Sequence, residues 1–116
     1  MHNFRKLDNW TKSVDLVTEI YQLTNSFPSQ ERFGLMSQMQ RAAVSIPTNI
    51  AEGSAKSSNK DFARFLEMSM GFLLELETEL IIAVNLKYID LAIFENIKNK
   101  IIELQKMLTG FKNKLN

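Results

Sequence analysis

Cysteine is absent from this chain of 116 residues, and histidine occurs once, as His2. Without cysteine, disulfide bonds and thiolate metal sites are excluded, and a reducing compartment is compatible with the composition. Because the one histidine lies at a terminus that we expect to be mobile, a Ser-His-Asp triad, a histidine zinc site and the Glu-x-x-His pairs of di-iron bundles lack their essential residue type. The four glycines form no phosphate-binding loop. We therefore predict that the protein is not an enzyme and that it holds no cofactor or metal ion.

Long hydrophobic runs and an excess of one charge are also missing. No apolar stretch reaches the roughly 18 residues that span a membrane, and residues 1–6 lack the apolar core of a signal peptide. The 14 basic and 13 acidic residues leave a formal net charge of +1, which by itself implies neither nucleic-acid binding nor membrane binding. With 45% hydrophobic residues, we expect one cytoplasmic domain over residues 1–116, with a single core and no membrane partner.

Helical periodicity dominates the rest of the sequence. The first helix is predicted to begin near Asp8, which is a good N-cap residue. It ends at residues 27–29, because the residue before Pro28 avoids the helical region. Two neighbouring apolar stripes follow its length, one formed by Trp10, Val14, Val17, Tyr21 and Thr24 and the other by Leu16, Ile20, Leu23 and Phe27.

The second helix keeps its apolar rhythm straight through a proline. Ser29 can cap its start, and Gly53 suits its C-terminal stop, ahead of a loop over residues 53–58. In the middle of this run Pro47 removes a backbone donor and is unfavourable by about 3 kcal/mol. We predict that the helix is kinked at Pro47 and that the kink shapes a surface. One side of this helix carries Met36, Met39, Ala43, Ile46, Ile50 and Gly53.

Two further helices complete the predicted fold. The third runs from about Asn59 to Lys87, and Ser58 with Asp61 resembles a capping box at its start. Asp90 caps the fourth helix, whose apolar residues repeat in alternating steps of three and four up to the C-terminus. Because short links between long helices force antiparallel neighbours, the sequence predicts an all-α protein, an antiparallel up-down-up-down four-helix bundle.

Two blocks of residues resemble the signatures of one bacterial family. The first covers residues 27–53 and ends in Arg41-Ala42-Ala43-Val44-Ser45-Ile46-Pro47-Thr48-Asn49-Ile50-Ala51-Glu52-Gly53. The second contains Asp61-Phe62, Arg64-Phe65-Leu66, Gly71 and Leu74-Glu75-Leu76-Glu77-Thr78-Glu79-Leu80. With Phe4, Leu7 and Trp10 near the start, the resemblance covers nearly the whole chain. It is a resemblance to the bacterial four-helix-bundle proteins called ribosomal-RNA intervening-sequence proteins.

This resemblance implies a four-helix bundle that assembles into a ring of five subunits. The family name records that some of the genes lie inside intervening sequences of large ribosomal RNA genes, and it does not record an activity. A related branch, the accessory proteins of diversity-generating retroelements, forms basic pentamers that work with a reverse transcriptase and bind nucleic acid. This chain departs from that branch in its near-neutral charge and in Gln40, where a second basic residue is common. Phe72 also follows Gly71 where a small residue is common.

Residues of the matched blocks are interpreted first as structural. Asn49 and Glu52 follow Pro47, which frees a backbone carbonyl about one turn earlier. We expect one of them to hydrogen-bond across that junction, with Arg41 or Arg64 as its ionic partner, and ligand recognition is the alternative. Small residues of the second and third helices are expected to let these helices approach closely. The structural set comprises Arg41, Pro47, Asn49, Glu52, Gly53, Arg64, Gly71 and Glu75.

The third helix carries apolar residues outside its main stripe. Together with the second stripe of the first helix, they form either a thick core or a subunit interface, and we favour the interface because exposed apolar patches usually mark association. Glu75 and Glu79, one turn apart, could share a proton or bind a cation, but solvated or salt-bridged glutamates are the expected arrangement. The interface candidates are Met68, Leu74, Ile81 and Ile82.

The fourth helix is basic. From Asp90 to the C-terminus there are five lysines against three acidic residues. These lysines either form a solvated helix face or contact the phosphates of a nucleic acid, and a ring would repeat their modest charge in every subunit. The nucleic-acid candidates are Lys98, Lys100, Lys106, Lys112 and Lys114.

Two functions fit these observations. The first is a non-enzymatic, homo-oligomeric scaffold, a homopentamer according to the resemblance, which engages another macromolecule such as an unidentified protein partner. The alternative is a nucleic-acid-binding accessory factor that contacts RNA or DNA through the basic fourth helix. Salt-dependent binding of nucleic acid separates the two.

Overall fold

Helices account for the whole fold, which a computed structural model describes from residue 2 to residue 115. Four α-helices follow one another: α1 spans Asp8–Thr24, α2 spans Leu35–Ser54, α3 spans Asn59–Asn85 and α4 spans Leu91–Lys114. Two short 3-10 helices precede α1 and α2, at Phe4–Lys6 and Ser29–Glu31. Residues 2–115 contain no strand, and no helix in this range is long and apolar enough to cross a membrane. The all-α prediction is confirmed.

Neighbouring helices run in opposite directions. In the middle of α2 and α3, the Ser69 hydroxyl donates to the Ile46 carbonyl oxygen at 2.9 Å. Gly53, near the end of α2, faces Phe62, near the start of α3, so the two helices are antiparallel. The ion pairs that join α1 to α4 show the same reversal. Contacts follow the order α1, α2, α3, α4 and close back from α4 to α1. The helices therefore form the predicted up-down-up-down bundle, with extents of 44 × 24 × 20 Å.

The core lies along the inner stripes of the four helices. It includes the second apolar stripe of α1, because Leu16, Ile20 and Phe27 are buried there. The expectation that this stripe belongs to a subunit interface is therefore wrong, since burial inside the protomer already removes it from water. The largest fully buried side chains are Phe62, Leu16, Ile20, Met39, Ile46, Ile50, Leu66, Leu73, Leu76, Leu80, Ile101 and Leu104.

The predicted caps of α3 and α4 are confirmed. The Ser58 hydroxyl accepts a hydrogen bond from the Asp61 amide at 3.1 Å. Asp90 Oδ1 accepts one from the Ile93 amide at 2.8 Å. Each side chain satisfies a backbone donor that the first turn of a helix leaves without an internal partner.

The predicted caps of the first two helices are wrong. Asp8 is the first residue of α1, and Leu7 takes the N-cap position with no side-chain hydrogen bond. Ser29 begins a 3-10 helix instead, so that α2 starts six residues later, at Leu35. There the Glu31 carboxylate accepts a hydrogen bond from the Leu35 amide at 3.1 Å. This bond satisfies a backbone donor of the first turn, as an N-cap side chain would.

The second helix passes through Pro47 without interruption and ends at Ser54. The predicted kink at Pro47 is not confirmed. Gly53 is not the stop of this helix, because Ala55 takes the C-cap position. The glycine provides space instead, since an added Cβ would lie 2.7 Å from Phe65 Cβ and 2.8 Å from Phe62 Cδ1.

The end of α3 is set by a backbone motif. Lys87 has a positive φ of 65°, in the left-handed region, and its amide donates to the Val84 carbonyl at 3.0 Å. The Tyr88 amide turns back to the Ala83 carbonyl at 2.9 Å. This pair of bonds is a Schellman motif, which stops α3 at Asn85, two residues before the predicted end.

The N-terminal segment is fixed against the bundle. The His2 amide donates to the Ser54 carbonyl at 3.0 Å, and the His2 ring lies 5.0 Å from the ring of Phe62 and 6.0 Å from that of Phe111. His2 therefore packs against the ends of α2, α3 and α4. These contacts bring residues 2–7 beside the C-terminal half of α4.

Candidate interaction surfaces

Four apolar side chains of α3 point into solvent rather than into the core. Met68, Leu74, Ile81 and Ile82 are between 40% and 55% exposed. They are outside the core because the inner stripe of α3 already fills the bundle interior. The thick-core interpretation therefore does not apply to them. We call these four residues, with Gly71 between them, the outer face of α3.

Gly71 lies on this outer face and not against α2. An added Cβ would meet nothing within 4 Å, and the residue is exposed. The expectation that Gly71 lets α2 and α3 approach each other is therefore wrong. Within residues 2–115, the close approach of these helices depends on Gly53 and on the buried Ser69 instead.

Side-chain donors surround the proline of α2. The Asn49 amide donates to the Ser45 carbonyl at 2.7 Å, so its bond spans Pro47 within a single helix. Neighbouring hydroxyls do the same, since Ser45 donates to the Arg41 carbonyl at 2.8 Å and Thr48 donates to the Val44 carbonyl at 3.0 Å. These bonds add side-chain donors to carbonyls on either side of Ala43, whose own carbonyl loses its regular backbone donor at Pro47.

The charged residues of the same motif do not join Asn49. Glu52 is exposed and forms no ion pair with residues 2–115. Arg64 pairs with Asp61 at 3.7 Å on its own helix. Arg41 is exposed and lines a shallow groove between α2 and α3 together with Glu75. The structure therefore gives this motif no ionic partner for Asn49 or Glu52.

Glu79 is a buried carboxyl group without a partner. Its side chain is 5% exposed, and Oε1 accepts no hydrogen bond from residues 2–115. Burial, with a smaller effect of the nearby Glu75 carboxylate, raises the pKa of Glu79 to about 7. The expected solvated arrangement is therefore wrong for Glu79. No group of three or more histidine, cysteine, aspartate or glutamate residues that could hold a metal ion is present among the described residues.

Three of the five C-terminal lysines already have carboxylate partners. The Lys112 ammonium group lies 2.8 Å from Glu67, and this hydrogen bond lowers the pKa of the Glu67 carboxyl group. Such pairs reduce the positive charge that α4 can offer to a phosphate backbone. The three pairs are Lys98–Glu95, Lys100–Glu19 and Lys112–Glu67.

The other two lysines face a groove beside the N-terminal segment. Lys106 and Lys114 line it from α4, while Lys6 and Asn9 line it from the opposite side. Lys6 and Asn9 are not among the site residues predicted from the sequence. An up-down-up-down bundle with α1 beside α4 brings the start of α1 to the end of α4. The predicted topology was therefore sufficient to place Lys6 and Asn9 near Lys106 and Lys114.

The sequence of this chain is similar to that of a known protein family. The model of the 23S rRNA-intervening sequence protein family matches residues 5–110. The chain belongs to this family. The prediction made from the two sequence blocks is therefore confirmed. Comparison with curated proteins gives no match.

A solved structure supports the same assignment. It is the crystal structure of a protein with unknown function from the S23 ribosomal protein family of Bacteroides thetaiotaomicron. The two chains superpose with a TM-score of 0.84 at 25% sequence identity, over 90% of this chain and 95% of that chain. The family match includes the outer face of α3 and the proline motif of α2, whereas Lys112 and Lys114 lie beyond its last residue.

Proposed function

We propose that this 23S rRNA-intervening sequence protein is a homo-oligomeric scaffold, a ring of five subunits that engages another macromolecule. The observation that carries the proposal is the outer face of α3. Four large apolar side chains on one side of one helix are costly to leave in water, at roughly 25 cal/mol for each Å² of apolar surface. A second copy of the chain offers a matching apolar surface and removes that cost.

Gly71 supports a close contact at this face. A glycine inside an exposed helix is unfavourable by roughly 0.5–1 kcal/mol relative to alanine. Inside the protomer nothing requires the small residue, because a Cβ would meet no atom within 4 Å. The backbone of a neighbouring subunit could use the space that the missing side chain leaves.

A closed ring needs two different surfaces on each subunit, because its contacts are head-to-tail. The outer face of α3 supplies one of them. Exposed apolar residues also occur outside α3, at Tyr21 on α1 and Val44 on α2. We assign the second surface of the proposed ring to these residues, because they are apolar and exposed and lie outside α3.

Charge substitution on the outer face tests the proposal. We expect Leu74→Glu to give a folded species of lower mass in light scattering, with an unchanged helical circular dichroism spectrum, because a buried carboxylate opposes association. Leu91→Glu is the matched control, since Leu91 is 65% exposed but lies at the start of α4. Retention of the wild-type mass by Leu74→Glu, or unfolding without dissociation, contradicts the proposal.

Nucleic-acid binding through α4 has weaker support as a function. Three of its five candidate lysines are engaged by carboxylates, as described above. The two that remain, Lys106 and Lys114, belong to a groove whose size and lining differ from an extended phosphate track.

A further inference from the structure

A groove of about 470 Å³ runs between the N-terminal segment and the C-terminal half of α4. Its volume falls within the roughly 300–1,000 Å³ typical of small-molecule sites. Three lysines line it, Lys6 from one side and Lys106 and Lys114 from the other, against one acidic residue, Asp8. We call it the N-terminal groove. Three positive charges against one negative charge favour an anionic occupant.

Asn9 gives this groove a second feature that points to a ligand. It lines the groove, yet its side chain is only 5% exposed and its Oδ1 has no hydrogen-bond partner among residues 2–115. Buried amide oxygens nearly always have a donor, because leaving one unpaired is unfavourable. The groove therefore combines a positive lining with a bordering amide whose oxygen is shielded from solvent and lacks a donor.

We propose that the N-terminal groove binds a small phosphate ester that carries a hydroxyl or amino group, of which a nucleoside monophosphate is the simplest probe. The lysine ammonium groups contact the phosphate oxygens through charge-assisted hydrogen bonds. In the structure Asn9 Oδ1 is shielded from the groove, so the proposal includes a rotation of this amide about its last side-chain bond, after which Oδ1 accepts from the hydroxyl or amino group. The ring of Phe111, which packs edge-on against Phe62 at 5.5 Å, forms a rigid apolar wall.

Binding of two probes by the full chain tests the ligand class. Adenosine 5′-monophosphate is expected to bind saturably in an NMR titration, with shifts confined to residues 6–9 and 106–114. Inorganic phosphate is expected to bind about tenfold more weakly, because it lacks the nucleoside, whose hydroxyl or amino groups reach Asn9 and whose ring meets Phe111. Equal affinity for both probes, or no saturation by either, overturns the proposal.

Substitutions separate the groove from general surface charge. Lys106→Gln and Lys114→Gln should each weaken binding of the monophosphate about tenfold. Lys98→Gln, on the same helix and with the same change in charge, should leave it unchanged, because Lys98 pairs with Glu95 away from the groove. Asn9→Leu should reduce the preference for the monophosphate over inorganic phosphate, and the part that depends on Phe111 should remain. Equal weakening by all three lysine variants, or an unchanged preference in Asn9→Leu, overturns the assignment.

A phosphate of this kind can belong to a free metabolite or to the end of a nucleic acid, and two further probes distinguish these sources. A short ribo-oligonucleotide with a 5′-phosphate matches the monophosphate only if a terminal phosphate enters the groove. Binding of the same oligonucleotide without its 5′-phosphate at equal strength overturns the proposal. The groove lies apart from the outer face of α3, so the mass of the lysine variants reports on assembly independently of ligand binding.

Discussion

Gly53 determines how closely α2 and α3 approach each other. An alanine at this position would place its Cβ within 3 Å of two phenylalanine side chains, one of which is the fully buried Phe62. The Phe65 Cβ is attached directly to its backbone, and the Phe62 ring lies in a filled core, so neither atom has much room to move. The helical period identified Gly53 as part of the inner stripe, but its contact with Phe65 depends on the register between two helices, which periodicity alone does not give.

We expect Gly53→Ala to lower the free energy of unfolding by about 1–3 kcal/mol, because the added methyl group overfills the contact between α2 and α3. Urea denaturation followed by circular dichroism measures this change. Gly110→Ala is the matched control, since its Cβ would meet nothing within 4 Å. That control should gain about 0.5–1 kcal/mol through helix propensity. Equal effects of the two substitutions would show that space at Gly53 is not limiting.

Glu79 makes stability depend on pH in the direction opposite to a salt-bridged acid. Its pKa is about 7 in the folded protein, against an ordinary value of 4.5. The folded state therefore holds the proton more strongly than the unfolded state does. Stability from this group is fully present below pH 4.5, falls as the pH rises to about 7, and is constant above that, a loss of up to roughly 3 kcal/mol.

Glu79→Gln should remove this pH dependence. We expect the variant to be more stable than the wild type at pH 8 and close to it at pH 4.5, as measured by urea denaturation across that range. Glu75→Gln is the control, because it removes only the smaller cause of the raised pKa and should keep most of the slope. A wild-type slope in Glu79→Gln would mean that another group titrates.

At the scale of the helices, the sequence predicts the number and order of the four helices correctly, but it misplaces the N-caps of α1 and α2. Ser58 and Asp90 cap α3 and α4 as predicted, because each precedes its helix directly in an extended conformation. Asp8 and Ser29 carry the same chemistry but do not cap. A short 3-10 helix precedes Leu7 and another begins at Ser29, and each shifts the start of the following α-helix. Single turns of this kind leave little trace in a periodic pattern.

This difference predicts unequal effects for two aspartates. Asp90→Ala should lower the free energy of unfolding by about 1 kcal/mol, because it removes the hydrogen bond to the Ile93 amide. Asp8→Ala should cost only about 0.3–0.5 kcal/mol, through the helix dipole, since no cap bond is lost. Thermal or urea denaturation of both variants checks the ranking. A larger loss in Asp8→Ala would restore Asp8 as the cap of α1.

At the scale of the whole molecule, helix order and topology followed from the sequence, while the surfaces followed only in part. The outer face of α3 was identified because its residues fall off the inner stripe, a property of one helix. The second stripe of α1 was assigned wrongly to the same surface, since two stripes on one helix do not reveal which faces the core. The N-terminal groove was missed because Lys6 and Asn9 become neighbours of α4 only when the bundle closes.

The mass of the wild-type protein in solution tests the central claim most directly. Size-exclusion chromatography with light scattering, recorded at 260 and 280 nm on protein purified without nuclease, should give a particle of about 67 kDa, five chains of 13.4 kDa, with a protein-like absorbance ratio. Excess absorbance at 260 nm on the same particle would favour the nucleic-acid alternative. A 13.4 kDa monomer would contradict the ring and the role of the outer face of α3.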